Sequence, residues 1–409
     1  ADTLYKMGQE QEVYQRMIAE KWPASGKRIA IVGAGPAGLS AAFYLARLGH
    51  EVTIYDEHHE AGGVLRYGIP AYRLPRDVLD KELELFDLLG VRFRFNTVLG
   101  KEISVASLKA ANDAVILALG SYHHSELRLE GSEGEGVIQG TEVLRRQAEG
   151  EALGVGDRVV IIGGGNVAID VARSLWRLGR DVTIAYRRGR EEMPANRSEV
   201  AELFKEGIRV IFDVAPKAVL RDKTGAVTGL VVNELELGAY DVSGRRRRTP
   251  TGRDATIESD TVIIAIGERV DSALIQGEGL AVNEAGHLEV ERYTYKTGID
   301  GVWAIGDVIT GPSTAAEAMG HAKEVAHLID CTLMGEIRFH TLFSDFAYGN
   351  EIWDTAHEER EIMADQLPVA ERHSSFAEVN LGYSGRQARM EASRCLRCDV
   401  SVRGEVSNG

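Results

Sequence analysis

The sequence predicts an α/β fold of two parallel-sheet domains, the second inserted into the first. Three observations carry this. A strand, a Gly-rich turn, a helix and a second strand follow one another twice; each unit is closed by a later apolar strand ending in Gly; and one more strand of that type follows the second unit and needs a sheet to join. At 409 residues the chain has room for two or three cores.

The elements follow in order. Residues 1–26 read as a docking helix, with Leu4, Val13, Met17 and Ile18 among polar neighbours, ended by the breaker Trp22-Pro23-Ala24-Ser25-Gly26. The first domain opens at residue 27 and runs to 140: strand Ile29–Val32, turn Gly33–Gly38, helix Leu39–Leu48, strand Val52–Tyr55 and a buried strand within Asp113–Gly120. Residues 141–267 repeat the plan, with strand Val159–Ile162, turn Gly163–Ala168, a helix to Leu178, strand Val182–Tyr186 and a closing strand within Asp260–Gly267. Between these, residues 208–259 hold short strand-like runs broken at Asp222–Gly225 and Ser243–Thr249, which predicts a β-meander. Residues 268–335 return to the first domain through the strand Gly301–Ile305, then Gly306-Asp307 and a helix from Thr314 to Leu328. Residues 336–409 form a polar arm that ends in the pair Cys395 and Cys398 and gains order from a partner or from packing on the body.

Composition narrows the function. Lys plus Arg number 47 against 62 Asp plus Glu, and a net charge of −15 repels a polyanion, which excludes nucleic acid as a main partner. With 44% apolar and 27% charged residues the chain is neither disordered nor fibrous. No apolar run approaches the ~20 residues a membrane helix needs, and Ala1–Glu10 is too polar for a signal peptide. Three cysteines argue against a disulfide framework and for a reducing, cytoplasmic compartment. The 45 glycines point to many tight turns and close backbone approaches.

A G-x-G-x-x-G turn between strand and helix lets backbone N–H groups meet a pyrophosphate at the positive helix end. Gly33, Gly35 and Gly38 supply it, and Asp56 with Glu57 beside it stands where a ribose-binding acid belongs. The second turn keeps Gly163, Gly165 and Ala168, but its second strand ends in Tyr186-Arg187-Arg188. Arginine suits a 2′-phosphate through a charge-assisted fork, which favours NADP. The alternative is that Arg187 and Arg188 pair with Glu191, Glu192 or a neighbouring subunit, and that NAD is bound. Gly306-Asp307 before a helix start fits an acid that accepts from a sugar chain while the helix end faces an electron-rich ring edge.

Gly33–Gly38, Gly62–Pro70, Arg73-Leu74-Pro75, Gly163–Asp170, Tyr186–Arg188 with Glu192-Met193-Pro194, and Gly301–Asp307 together resemble the small subunit of glutamate synthase. The reductase half of dihydropyrimidine dehydrogenase is similar. The resemblance covers about residues 27–335 and implies a flavoprotein of the disulfide-reductase type, FAD in the first domain and NAD(P)H in the inserted one. It implies that Gly33, Gly35, Pro36, Ala37, Gly38, Asp56 and Glu57 hold the FAD pyrophosphate and adenosine, with Val98 near the adenine and Gly120 beside the dinucleotide. Gly63, Leu65, Arg66, Ile69 and Arg73 would line the flavin, and Gly306, Asp307, Thr314 and Ala315 its ribityl and pyrimidine ends. Gly163, Gly165, Asn166, Val167, Ala168, Arg187, Arg188 and Gly267 would hold NAD(P).

No cysteine follows Gly63 or lies on the second Gly-turn helix, so the sequence excludes an internal dithiol relay, and Cys331 reads as a small buried apolar residue. In the related proteins a segment like Glu391–Cys398 opens a four-cysteine iron–sulfur domain that normally precedes the flavin domain. A [4Fe–4S] cluster takes four thiolates, which leaves three readings open for Cys395 and Cys398: a remnant packed on a partner, ligands of a cluster completed by another chain, or a redox or metal pair. Arg245–Arg248 reads as a loop tip or subunit contact, and His123-His124 as loop.

The resemblance extends to flavoprotein subunits of transhydrogenases and of 2-oxoacid oxidoreductases such as phenylglyoxylate dehydrogenase. The expectation is therefore an FAD-dependent NAD(P)H oxidoreductase subunit that exchanges electrons with iron–sulfur and catalytic subunits of a larger complex. A stand-alone reductase for a ferredoxin-type acceptor is the alternative in the same class, and a non-catalytic flavin-binding scaffold the alternative outside it.

Overall fold

The computed structural model describes residues 10–124, 127–240, 246–338 and 362–393. Two five-stranded parallel sheets carry the fold. The first is ordered Val302–Ala304, Ala114–Leu117, Arg28–Val32, Glu51–Tyr55, Arg92–Arg94. The second is ordered Val137–Gln139, Thr261–Ile264, Arg158–Ile162, Asp181–Ala185, Arg209–Ile211. The strand after the second unit thus joins the first sheet, beside Ala114–Leu117.

The central strands read Ile-Ala-Ile-Val and Val-Val-Ile-Ile because helices or strands cover both faces of each sheet. On one face of the first sheet, the Pro36–Arg47 helix packs with the Ala315–Met334 helix through Ala41, Ala42, Leu45, Ala322, Ala326 and Ile329. Leu108, Ile275, Leu280 and Val308 cover the other. The meander is a three-stranded antiparallel sheet, Val214–Arg221, Val227–Tyr240 and Arg246–Glu258, whose Val219, Leu230, Val232 and Ile257 pack under the second parallel sheet.

One boundary differs from expectation. The second sheet takes its outer strand, Val137–Gln139, from ahead of residue 141, because Thr261–Ile264 is already the last strand it receives and its free edge pairs with that earlier segment. The described part of the N-terminal helix, Glu10–Ala19, docks on its own body: Tyr14 is buried and its hydroxyl donates to the Lys81 carbonyl at 3.1 Å, and Met17 and Ile18 pack against the first core.

The described part of the arm, 362–393, also packs on the body. Ser374 N–H donates to the Arg177 carbonyl and Val379 N–H to the Tyr72 carbonyl, each at 2.9 Å. Arg372 is buried and reaches Glu202 at 2.6 Å and Glu206 at 3.1 Å. Glu206 in turn accepts from Arg173 and Arg177 at 2.7 and 2.9 Å, and those guanidiniums lie 4.9 and 3.9 Å from the centre of the Tyr72 ring. Tyr72 belongs to the first domain, the two arginines to the second and Arg372 to the arm, so one buried cluster joins all three.

Burial works against the charge of Glu206, but hydrogen bonds from Arg173 and Arg177 hold its carboxyl down to about 2. Its folded-state pKa lies below the unfolded value, so its stabilisation is complete above about pH 4.5 and is lost as the pH falls towards 2. Glu206→Gln is expected to cost roughly 3–5 kcal/mol at neutral pH. In urea unfolding the gap between variant and wild type should narrow as the pH falls from about 5 towards 2; a gap constant over that range would contradict the assignment.

Candidate functional site

The first Gly-rich turn ends at the N-terminus of the Pro36–Arg47 helix, with Gly35 at the cap and Pro36 as the first helical residue. Gly33 has φ +109°, and a Cβ there would stand 2.2 Å from the Ala118 carbonyl oxygen. Gly35 is open: its Cβ position meets only the Gly63 Cα, at 3.8 Å, so any side chain would fill the cradle. Gly33, Gly35, Pro36, Ala37, Asp56, Glu57, Gly63, Val98 and Gly120 all line one pocket, with Asp307, Thr314 and Ala315 at its other end. Gly38 instead packs against the turn, its Cβ position 1.9 Å from the Gly33 carbonyl oxygen. Gly306 does similar work, since a Cβ would come 2.9 Å from that of Ala37. The Asp56 carboxylate accepts from Ala34 N–H at 2.6 Å and His58 N–H at 2.9 Å, which orients it at the pocket wall.

A second pocket is built on the second turn. Gly163 has φ +146° and a Cβ position 2.1 Å from the Ala265 carbonyl oxygen, while nothing lies within 4 Å of a Cβ on Gly165. Gly163, Gly165, Asn166, Val167, Arg187, Arg188 and Gly267 line it. Ala168 does not; it is wholly buried in the core beneath. Asn166 accepts from Asn196 N–H at 2.9 Å and so also holds the neighbouring loop.

The flavin-lining set from the sequence divides. Gly63 lies in the first pocket, and Leu65, Ile69 and Arg73 line the second. Arg66 lines neither: it is buried, Nε donates to the Ala61 carbonyl at 2.7 Å, and its guanidinium pairs with Asp80 and Glu60. Arg73 Nη1 donates to both Asp170 carboxylate oxygens, at 2.9 and 2.7 Å, and its Nε reaches Glu199 at 3.4 Å, so it joins the two domains. Local motif position gave no sign of either set of carboxylates, because both are brought up by tertiary packing.

The two pockets meet. Val64, Glu268, Asp307, Ser313, Thr314 and Ala315 line both. Thr314 caps the Ala315–Met334 helix, its hydroxyl accepting from Glu317 N–H at 3.2 Å, so the positive end of a long helix lies at the junction. Asp307 accepts from the Ser313 hydroxyl at 2.9 Å, and burial raises its pKa against the pull of that bond. Burial, helped by the Asp307 charge, pushes Glu268 up to about 7. Tyr122, in the wall of the first pocket, has a buried hydroxyl without a hydrogen-bond partner among the described residues. Sequence reasoning missed Glu268, Tyr122 and Ser313; the one signal was their place just after the Gly that ends a strand or just before the helix cap.

These features fit a bound dinucleotide in each pocket: each cradle is one that a Cβ would fill, each turn opens a helix, and an orphaned buried hydroxyl awaits an acceptor in the first. A model of the pyridine nucleotide-disulphide oxidoreductase family matches residues 27–322. The chain belongs to that family. Membership in the pyridine nucleotide-disulphide oxidoreductases makes it a flavin-dependent NAD(P)H oxidoreductase, with FAD and a nicotinamide nucleotide as cofactors.

Among its relatives, the NADP(+)-dependent formate dehydrogenase subunit beta of Moorella thermoacetica is 38% identical over 91% of this chain and 55% of its own length. The NADPH-Fe(3+) oxidoreductase subunit beta of Geobacter sulfurreducens (strain DL-1 / KN400) is 36% identical over 92% and 62%. The glutamate synthase [NADPH] small chain of Escherichia coli (strain K12) is 32% identical over 74% and 68%. The chain therefore spans 55% and 62% of the first two. In fold it is similar to Mycobacterium tuberculosis FprA in complex with NADPH, at TM-score 0.65 and 21% identity over 77% of this chain and 85% of that one.

Neither pocket of this oxidoreductase is lined by a cysteine. Cys331 is half-buried rather than buried, with Sγ 3.7 Å from His327 Nδ1 on the preceding helical turn. Cys395, Cys398, Arg245 and the side chains of Arg246, Arg247, His123 and His124 lie outside the described residues. Among the described residues no helix is long and apolar enough to cross a membrane, and no group of three or more metal-ligating side chains occurs.

Glu268 has a folded-state pKa above its unfolded one, so the carboxyl costs nothing below about pH 4.5 and destabilises the fold increasingly as the pH rises through 7. Glu268→Gln is expected to raise the unfolding free energy of the flavin-free protein at pH 8, by on the order of 1–3 kcal/mol, and to leave it unchanged near pH 4. Calorimetry at both pH values checks this; equal effects at the two would refute it.

Proposed function

We propose that the chain is the pyridine-nucleotide module of a larger iron–sulfur enzyme, exchanging a hydride between NADP(H) and FAD and passing single electrons to or from cluster-bearing partner subunits. The observation that carries this is the shared wall: two dinucleotide cradles converge on Glu268, Asp307 and the capped helix at Thr314. FAD, when bound, supplies the exchange between two-electron hydride chemistry and the one-electron chemistry of clusters.

The chain's own residues bind and orient. The turns at Gly33–Ala37 and Gly163–Val167 offer backbone N–H groups to the two pyrophosphates. Asp56 holds an adenosine ribose, Asp307 a ribityl hydroxyl, and the helix end at Thr314-Ala315 favours negative charge on the electron-rich ring edge. Burial, and the Asp307 charge beside it, raise the Glu268 pKa to about 7, which lessens the negative charge at the junction. Arg187 and Arg188 at the outer end of the second pocket take a 2′-phosphate. The names of the relatives, an NADP(+)-dependent formate dehydrogenase, an NADPH-Fe(3+) oxidoreductase and an NADPH glutamate synthase, support the nucleotide and the assembly with partners. Cysteine usage supports a reducing, cytoplasmic setting.

Anaerobic mixing of the flavin-loaded chain with NADPH should bleach the flavin band rapidly, with NADH at least tenfold slower; no bleaching by either would sink the reading. Gly35→Val should abolish flavin retention, whereas Gly165→Val should keep the flavin and weaken the nucleotide by tenfold or more. Loss of flavin from both variants, or from neither, would argue against this division of the pockets.

A further inference from the structure

The second pocket carries an acid where a phosphate site should have none. Glu192 lines it together with Arg187 and Arg188. Left free, that carboxylate would pair with an arginine of the same loop, or accept from a ribose hydroxyl and repel a 2′-phosphate.

The meander prevents this. Arg248, from the third strand of that sheet, forks onto Glu192: Nη1 donates to Oε1 at 3.0 Å and Nη2 to Oε2. Its Nε donates to Asp213 at 2.5 Å. Asp213 sits at φ +54° in the turn that leads into the meander, and its N–H donates to the Arg188 carbonyl at 3.3 Å. Glu192 is also tied back by Gly189 N–H at 3.1 Å. Arg248 does not line the pocket, and its side chain is only 9% exposed. With Glu192 committed in this way, neither Arg187 nor Arg188 forms a salt bridge among the described residues.

We propose that Arg248 is a positioning residue for nucleotide specificity: by sequestering Glu192 it keeps Arg187 and Arg188 available for a 2′-phosphorylated adenosine. This rests on the NADP reading above. The selectivity of the pocket is thereby set by a side chain that does not line it, through competition between two anions, a carboxylate and a phosphate, for the same guanidiniums.

Calorimetric titration of the flavin-loaded chain with adenosine 2′,5′-bisphosphate and with adenosine 5′-monophosphate tests it. Arg248→Ala should weaken the bisphosphate about tenfold and leave the monophosphate within twofold, since the freed carboxylate competes only with the 2′-phosphate. Arg248→Ala combined with Glu192→Gln should restore bisphosphate binding to within threefold of wild type. Arg248→Lys, which retains the charge and loses the fork, secures the comparison if the alanine variant fails to fold, and should fall between the two. Equal weakening of both ligands, or no rescue by Glu192→Gln while the wild type discriminates between them, overturns the role of Arg248. A wild-type chain that binds both ligands alike overturns the NADP reading and this inference with it.

Discussion

Hydride exchange depends on placing two reacting atoms to within a fraction of an ångström, and here the two cradles belong to different sheets. What fixes one sheet against the other is a buried ionic cluster. Arg73 of the first domain donates to both carboxylate oxygens of Asp170 of the second, Arg173 and Arg177 stack on Tyr72, and Glu206 ties both to Arg372 of the arm. Asp170 is pushed up by burial and pulled back by Arg73, and each charge in the cluster is answered by an opposite one. Such a cluster adds little net stability over an apolar core of the same volume, but it accepts only one registration, because any slip leaves a buried charge unpaired. The described part of the arm is thereby tied to the registration of the two domains, although none of its residues lines either pocket.

Much of this was legible in the sequence where the constraint is local. A glycine at φ +109° with a carbonyl 2.2 Å from its missing Cβ leaves a trace as a fixed residue type at a fixed spacing, and so do the apolar runs of doubly covered strands. The pairing of Val302–Ala304 with the first sheet could be read from the need of a lone strand for an edge. Long side chains were another matter. Arg66 and Arg73 stand in the most specific motif of the chain, yet their guanidiniums span several ångströms and are claimed by Asp80, Asp170 and Glu199, whose proximity only the tertiary fold creates. The same holds for Glu192, which the sequence offered as a partner of Arg187 or Arg188 and which the structure gives to Arg248.

At the junction of the pockets, acidic side chains stand together beside a helix N-terminus. Acidic side chains would make the place repulsive if all were ionised. Burial raises the pKa of both Glu268 and Asp307, the Ser313 hydroxyl donates to the Asp307 carboxylate, and the capped helix contributes positive potential without a mobile cation.

The outer strand Val302–Ala304 pairs with Ala114–Leu117 from the far side of the inserted domain, whereas the second sheet draws all five of its strands from the stretch between them. During synthesis on the ribosome, the inserted domain is thus complete while the first still lacks an edge. Four strands of the first sheet can nucleate early, but the fifth, and the Ala315–Met334 helix that covers Ala41 and Leu45, emerge only after the insert. High contact order is confined to that late closure, and the insert, already folded, holds the two ends of the gap near each other. The first pocket, part of whose wall is Asp307, Thr314 and Ala315, is accordingly closed only after the insert has been made.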